Sequence, residues 1–344
     1  MVMSKQETYT ISVEQEIQHI EMDQPHVVIL GAGASCAAFP NGDKNDVKLP
    51  LMNNFVDILG LKDLLSGTGI DFKTENFEEI YSQLHQDAAH RKTREELEKV
   101  IYEFFFRLEI TSEPTIYDHL LLSLREKDYV VTFNWDSFLL QAGRRNSRRF
   151  KLPRLLFLHG NVGVGYCEKD KVAGLIGNNC SKCGGALAPI QFLYPIAEKN
   201  YHLNGFISLQ WKELEEQLRN AFMITIFGYG APKSDVQAIE LMKSAWGEVT
   251  QRDMEQTEII DIRSEDDLCS TWEPFINTNH YETHSDFYDS WISKHPRRTG
   301  EAYINQYKNS KFIYDNPVPK EFGFTELWDW YDRLMQVEEF HENT

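Results

Sequence analysis

Five short apolar runs stand out along the chain, and four of them stop at glycine or a polar residue. HVVIL (26–30) leads into the glycines of GAGAS (31–35), and DYVVTFN (128–134), RLLFLHG (154–160) and FMITIFG (222–228) end in the same way. EIIDI (258–262) is the fifth. Apolar runs of this length without alternation predict strands buried on both faces, as in a parallel sheet. Between them the period becomes helical. Phe77, Ile80, Tyr81 and Leu84 share one face, and Leu97, Val100, Ile101, Phe104, Phe105 and Leu108 a broader one. Trp211, Leu214, Leu218, Ala221 and Phe222 follow at helical spacing, and a further helix starts near Asp235.

Strands alternating with helices predict an α/β fold, a Rossmann-like doubly wound parallel sheet. No strong strand interrupts the stretch from about 50 to 125, which reads as an inserted helical layer. Residues of about 165–190 form a small cysteine-containing module. After residue 265 the pattern weakens into aromatic and acidic residues. The expected organisation is therefore a catalytic domain over 1–265 and a mainly helical C-terminal interaction region over 266–344.

Composition narrows the classes. The 344 residues carry 35 Lys plus Arg against 53 Asp plus Glu, a formal charge of −18, which repels phosphate backbones and argues against direct nucleic-acid binding. The run GRRNSRRFK, with Arg144, Arg145, Arg148 and Arg149, reads as a solvated loop. The start is polar and mixed in charge, unlike a signal peptide, and no segment has the ~18 apolar residues of a membrane span. Five cysteines, an odd count, point to reduced thiols and a cytoplasmic location.

The chemistry sits at the strand ends. Gly31 and Gly33 allow a backbone to approach a pyrophosphate at the start of a helix, or simply form a tight turn. Asn134 and Asp136 emerge past a strand, where they can hold a ribose hydroxyl, a water or a carboxamide; an Asx turn is the alternative. His159 ends another strand and could act as a general base. Gly228 and Tyr229 lie in a second glycine-lined turn, in which Ser234 or Asp235 could cap the next helix. Asp261 could bind an adenosine ribose and disfavour a 2′-phosphate, with Arg263 beside it. Cys180 and Cys183 form a CxxC that reads as part of a structural zinc site or as a metal-free loop; Cys167 could be a third ligand, with Asp170, Glu168 and His202 as candidates for the fourth. Trp328 and Trp330 are either core residues or a docking surface.

The order GAGAS, TFNWD, LHG, cysteines, GYGAPKSD and IIDI resembles the catalytic core of the sirtuin-like superfamily over residues 26–265. It is most similar to the bacterial branch with a GAGxS, T-x-N-x-D, LHG and GYS-like pattern, whose members deplete NAD in anti-phage defence. The resemblance implies that Ala32, Ser35, Asn134, Asp136 and His159 line the nicotinamide and ribose end of NAD. Gly228, Tyr229 and Asp261 would serve the phosphate and adenosine end. It also implies NAD hydrolysis, structural zinc, and gating through a homo-oligomer or a second defence protein such as an ATPase or an Argonaute-like protein. Two features of the family's protein deacylases are missing: CAAFPNGDKNDVKLP replaces their G-I-P-D-F-R stretch, and LAPIQFLYPIAEKNY replaces their peptide-clamping F-G-E strand. The alternatives are a deacylase or ADP-ribosyltransferase and, in another class, a non-catalytic subunit that binds NAD or ADP-ribose.

Overall fold

A computed structural model of the chain describes residues 9–72, 76–196, 201, 205–248, 252, 255–276 and 280–342. Its centre is a six-stranded parallel sheet of β2 (His26–Leu30), β3 (Tyr129–Thr132), β4 (Arg154–Phe157), β8 (Met223–Phe227), β9 (Gln256–Ile260) and β10 (Tyr281–His284). Across the sheet the order is β4-β3-β2-β8-β9-β10. Numbered within the sheet, that is 3-2-1-4-5-6, the order of dinucleotide-binding sheets. The chain winds outward from β2 in one direction and from β8 in the other. The switch point is therefore the β2–β8 boundary, where Leu30 pairs with Phe227.

The apolar runs become strands because helices cover both faces. Every residue of β2, β3, β8 and β9 is buried. Along β2 the faces alternate. Val28 and Leu30 pack into a cluster with Phe55, Phe77, Ile80, Leu97, Ile101 and Phe105 of the helical insertion. Val27 and Ile29 pack into another with Trp211, Leu214, Leu218, Trp246 and Trp272. The insertion consists of helices at Phe55–Ile58, Lys62–Leu65, Phe77–Gln86, Arg91–Phe106 and Ile116–Leu122. Its broad predicted face is narrower than expected, since Val100 is exposed and Phe104 only partly buried.

The cysteine module is a three-stranded antiparallel sheet in which β5 (Val164–Cys167) pairs with β6 (Val172–Leu175) and β7 (Ala188–Pro189). A short parallel pair joins β1 (Thr10–Ile11) to β11 (Phe312–Ile313). The fifth apolar run sits two residues earlier than its pattern suggested, so Asp261 follows β9 rather than lying within it. The sheet also continues beyond residue 265, because YETH supplies β10 alongside β9.

The arginine run is only in part a solvated loop, since Arg144, Arg148 and Arg149 are exposed but the run begins in a helix. Arg144 and Arg145 lie in the helix Phe138–Asn146, and Arg145 forms a bidentate pair with fully buried Asp118. Arg149 bridges Asp329 and Asp332 of the C-terminal helix Phe324–Glu342. Arg145 and Arg149 are thus spent on the chain's own acids. The same helix buries Leu327, Tyr331, Leu334 and Met335, with Trp328 and Trp330 partly buried beside them. Glu338 completes its docking by pairing with Arg297 (2.6 Å) and Arg298 (2.7 Å).

Candidate active site

Two glycine turns meet at the switch point and cannot be separated. The Gly31 N–H donates to the Phe227 carbonyl (3.0 Å) and the Gly33 N–H to the Gly228 carbonyl (2.9 Å). A Cβ on Gly33 would lie 2.8 Å from Gly228 Cα, and one on Gly228 (φ +59°) only 2.2 Å from the Ala34 nitrogen. Glycine is required here for the mutual approach of two backbones.

Above this floor opens a cavity of about 740 Å³, lined at one end by Gly31, Ala32, Gly33, Ser35 and Gly228. That volume lies within the ~300–1,000 Å³ range of small-molecule sites. Asn134, Asp136 and His159 also line it, as do Asp261, Ser285 and Asp286. The insertion forms the roof through Leu49, Leu51, Met52, Phe55 and Glu78. Residues from the ends of several separate strands thus converge on one chamber, outside the carboxyl edge of the sheet.

Ser35 is the hub of a buried cluster. Its hydroxyl donates to Asp136 Oδ2 (2.8 Å) and accepts from Asn134 Nδ2 (3.0 Å), while Tyr117 Oη lies at 2.7 Å. With the Ser35 proton on Asp136, Tyr117 is the donor of that last bond. Asn134 Nδ2 also donates to the Gly31 carbonyl (2.8 Å). Asp136 Oδ1 accepts from the Phe138 N–H (3.1 Å), so the Asx turn is present alongside the bond to Ser35. Burial raises the Asp136 carboxyl to about 6, against the lowering pull of the Ser35 hydroxyl and the Phe138 N–H.

His159 is 6% exposed and sits edge-on to Phe133 at 4.8 Å. Its Nε2 lies 3.9 Å from Asp235 Oδ1. Tyr229 stacks on Phe133 at 4.1 Å and donates to Asp235 Oδ2 (2.8 Å), which brings its side chain toward the His159 end. Asp235 makes no side-chain cap on the helix Val236–Trp246. At the opposite end, Asp261 accepts from the Arg263 N–H (3.0 Å) and from Arg263 Nη2 (3.0 Å).

Three contributors have no clear sequence signal. Tyr117 is distant in the chain from its partner Ser35. Asn161 is fully buried, donates to the Asp136 carbonyl and accepts from the Gly163 N–H. Asp286 follows β10, whose residues are too polar to read as a strand.

In the cysteine module, ligand atoms of Cys167, Asp170, Cys180 and Cys183 all lie within 4.8 Å of one another. Tetrahedral zinc with Zn–S near 2.3 Å sets S···S at about 3.8 Å and S···O at about 3.6 Å. Cys167 and Cys183 Sγ are 3.8 Å apart, and Asp170 Oδ2 is 3.6 Å from Cys167 and 3.4 Å from Cys180. The donor set fits zinc, with Asp170 as the fourth ligand. Glu168 pairs instead with Lys171 (2.5 Å), and His202 lies outside the described residues.

No family model and no curated protein matches this chain. Solved Sir2 structures do. A Sir2 homolog–NAD complex is 14% identical over 86% of this chain and 92% of its own, with a TM-score of 0.39. A Sir2 bound to acetylated peptide is 15% identical over 83% and 93%, with a TM-score of 0.37. A further Sir2 enzyme structure gives 15%, 83% and 94%, with a TM-score of 0.38. At such values activity has to be read from this chain's own site. Among the described residues no helix is long and apolar enough to cross a membrane.

Proposed function

We propose that this chain is a sirtuin-like enzyme that binds NAD in the chamber and hydrolyses its nicotinamide–ribose bond. The observation that carries the reading is the convergence of Ser35, Asn134, Asp136 and His159 on one cavity at the switch point of a parallel sheet. Nicotinamide leaves as a neutral molecule from a cationic ring, so the transition state is a ribosyl oxocarbenium ion. The protein has to orient the ring, hold the sugar and supply water. Asp136, as a carboxylate, accepts from the nicotinamide carboxamide. The Asn134 amide oxygen accepts from a ribose hydroxyl or the attacking water, and His159 takes the water's proton as its oxygen bonds to C1′.

Asp261 and Asp286 give the adenosine end two carboxylates, and the Arg263 guanidinium beside them is already held by Asp261. Such an end favours NAD over NADP. Water is the acceptor because the stretch after the cysteines folds onto the site. Phe192 stacks on Trp135 at 5.2 Å, and Leu193 and Pro195 line the chamber where a peptide clamp would be expected. Cys167, Asp170, Cys180 and Cys183 would hold structural zinc, which supplies cross-linking to the small sheet. An unrestrained NAD hydrolase depletes its own cell. Activity is therefore gated by a homo-oligomer or a second defence protein, as in the anti-phage branch the motifs resemble.

The test is release of nicotinamide and ADP-ribose from NAD by the wild type and His159→Ala, alone and with proteins encoded nearby. NAD binding is measured calorimetrically in both. Release by the wild type that vanishes in a folded, NAD-binding His159→Ala supports the reading. NAD binding with no release under any of these conditions would leave a sensor or assembly subunit and sink the hydrolase. ADP-ribose found on protein would select the transferase.

A further inference from the structure

Asp235 sits just before the helix Val236–Trp246, where a carboxylate ordinarily caps free N–H groups. It makes no such bond and turns into the protein instead, 3% exposed. There its Oδ2 accepts from the Tyr229 hydroxyl at 2.8 Å, and its Oδ1 faces His159 Nε2 at 3.9 Å. Tyr229 is fixed in turn, because its ring lies flat on Phe133 (4.1 Å, 5° between planes), which meets the His159 ring edge-on. Carboxylate, phenol, phenyl and imidazole form one packed assembly at the end of β8 and β4.

We infer that Asp235, pinned by Tyr229, is the positioning residue of His159. It faces Nε2 and stabilises the imidazolium once a proton arrives on the ring. The source of the proton rests on the NAD-cleavage reading; the pairing rests on geometry alone. In the step, a water oxygen bonds to ribose C1′ while the C1′–N bond breaks and its electron pair leaves with nicotinamide. The water's proton passes to the His159 ring, and Asp235 stays ionised throughout. At 3.9 Å the contact is an ion pair rather than a hydrogen bond, so its strength grows when the ring is charged. Tyr201 also faces the ring, at 6.5 Å between centroids, and Asp136 and Glu78 line the same chamber. Asp136 is engaged by Ser35 and Phe138, whereas Asp235 Oδ1 lies 3.9 Å from His159 Nε2.

The experiment is an NMR titration of the His159 imidazole, assigned through His159→Gln, in the wild type, Asp235→Asn and Asp235→Glu. The pH profile of NAD cleavage is recorded in parallel. A buried imidazole with no carboxylate partner titrates below the ordinary ~6.5. In the wild type we expect His159 at or above that value; a titration well below it would overturn the pairing without any variant. In Asp235→Asn the His159 pKa should fall by about one pH unit or more. The neutral-pH kcat should drop by about tenfold or more with little change in KM, and Asp235→Glu should restore much of both. An unmoved His159 pKa in folded Asp235→Asn overturns the proposal. If the pKa falls but the wild type cleaves no NAD, the pairing stands and the NAD-cleavage reading fails. If NAD is cleaved and the pKa does not move, the pairing alone is lost.

Discussion

Asp136→Asn should make the protein more stable at neutral pH while weakening its proposed function. Burial holds the Asp136 carboxyl at about 6, above its ordinary value of 3.8. A group raised in this way binds more protons in the folded than in the unfolded chain between those two values. Its contribution to stability is therefore fully present below 3.8 and lost as pH rises through 6. At about 1.4 kcal/mol per pH unit, the ionised side chain costs the native state ~3 kcal/mol above pH 6. Asparagine keeps the shape and removes the charge. Its oxygen can accept from the Phe138 N–H, but its NH₂ faces a Ser35 hydroxyl that already accepts from Asn134 and Tyr117. That mismatch costs about 1 kcal/mol. The net expectation is a gain of ~2 kcal/mol near pH 7.5, shrinking to zero or below near pH 4. Urea unfolding of both proteins across that range, followed by tryptophan fluorescence, measures the difference directly. A constant difference at all pH values, or a variant less stable at pH 7.5, would refute the claim that a buried, ionised Asp136 is held there at the expense of the fold.

Two further changes probe the parts that hold the site in place. Cys183→Ser should lower the zinc content of the purified protein from one per chain toward none, as read by elemental analysis; the same low content in the wild type would overturn the Cys₃Asp site. Arg145→Ala strands Asp118, which is fully buried and otherwise bonded to Asn146 and Thr115. Breaking such a pair costs about 3–5 kcal/mol, so thermal unfolding should shift down by several degrees.

Several strand ends could be read directly from the sequence, because a strand buried on both faces must be apolar throughout and must stop where its ligand site begins. GAGAS, TFNWD and LHG announce themselves in this way. β10 does not: it is an edge strand with one neighbour and half-buried positions, so Tyr281–His284 needs no apolar run, and Asp286 goes unseen with it. Asp235 was legible only as a helix cap, since nothing local says that a carboxylate will forgo its own helix for a histidine on another strand. Tyr117 could not be placed either. Its partner Ser35 lies beyond most of the helical insertion, and only tertiary packing brings the two together. The arginine run misleads for a related reason, because charge density shows cations but not which acids the fold sets against them.

The interlocked glycines also determine how a ligand comes and goes. Gly31, Gly33 and Gly228 join two turns so closely that neither can slide without parting the central pair of strands, and with them the core. The floor is built into the sheet itself. The roof is made differently, from short helices and loop side chains such as Leu49, Leu51, Met52 and Glu78 of the insertion. Under the proposed NAD reading, substitutions in the roof are expected to change how fast a nucleotide arrives and leaves, and substitutions in the floor whether the protein folds to receive it.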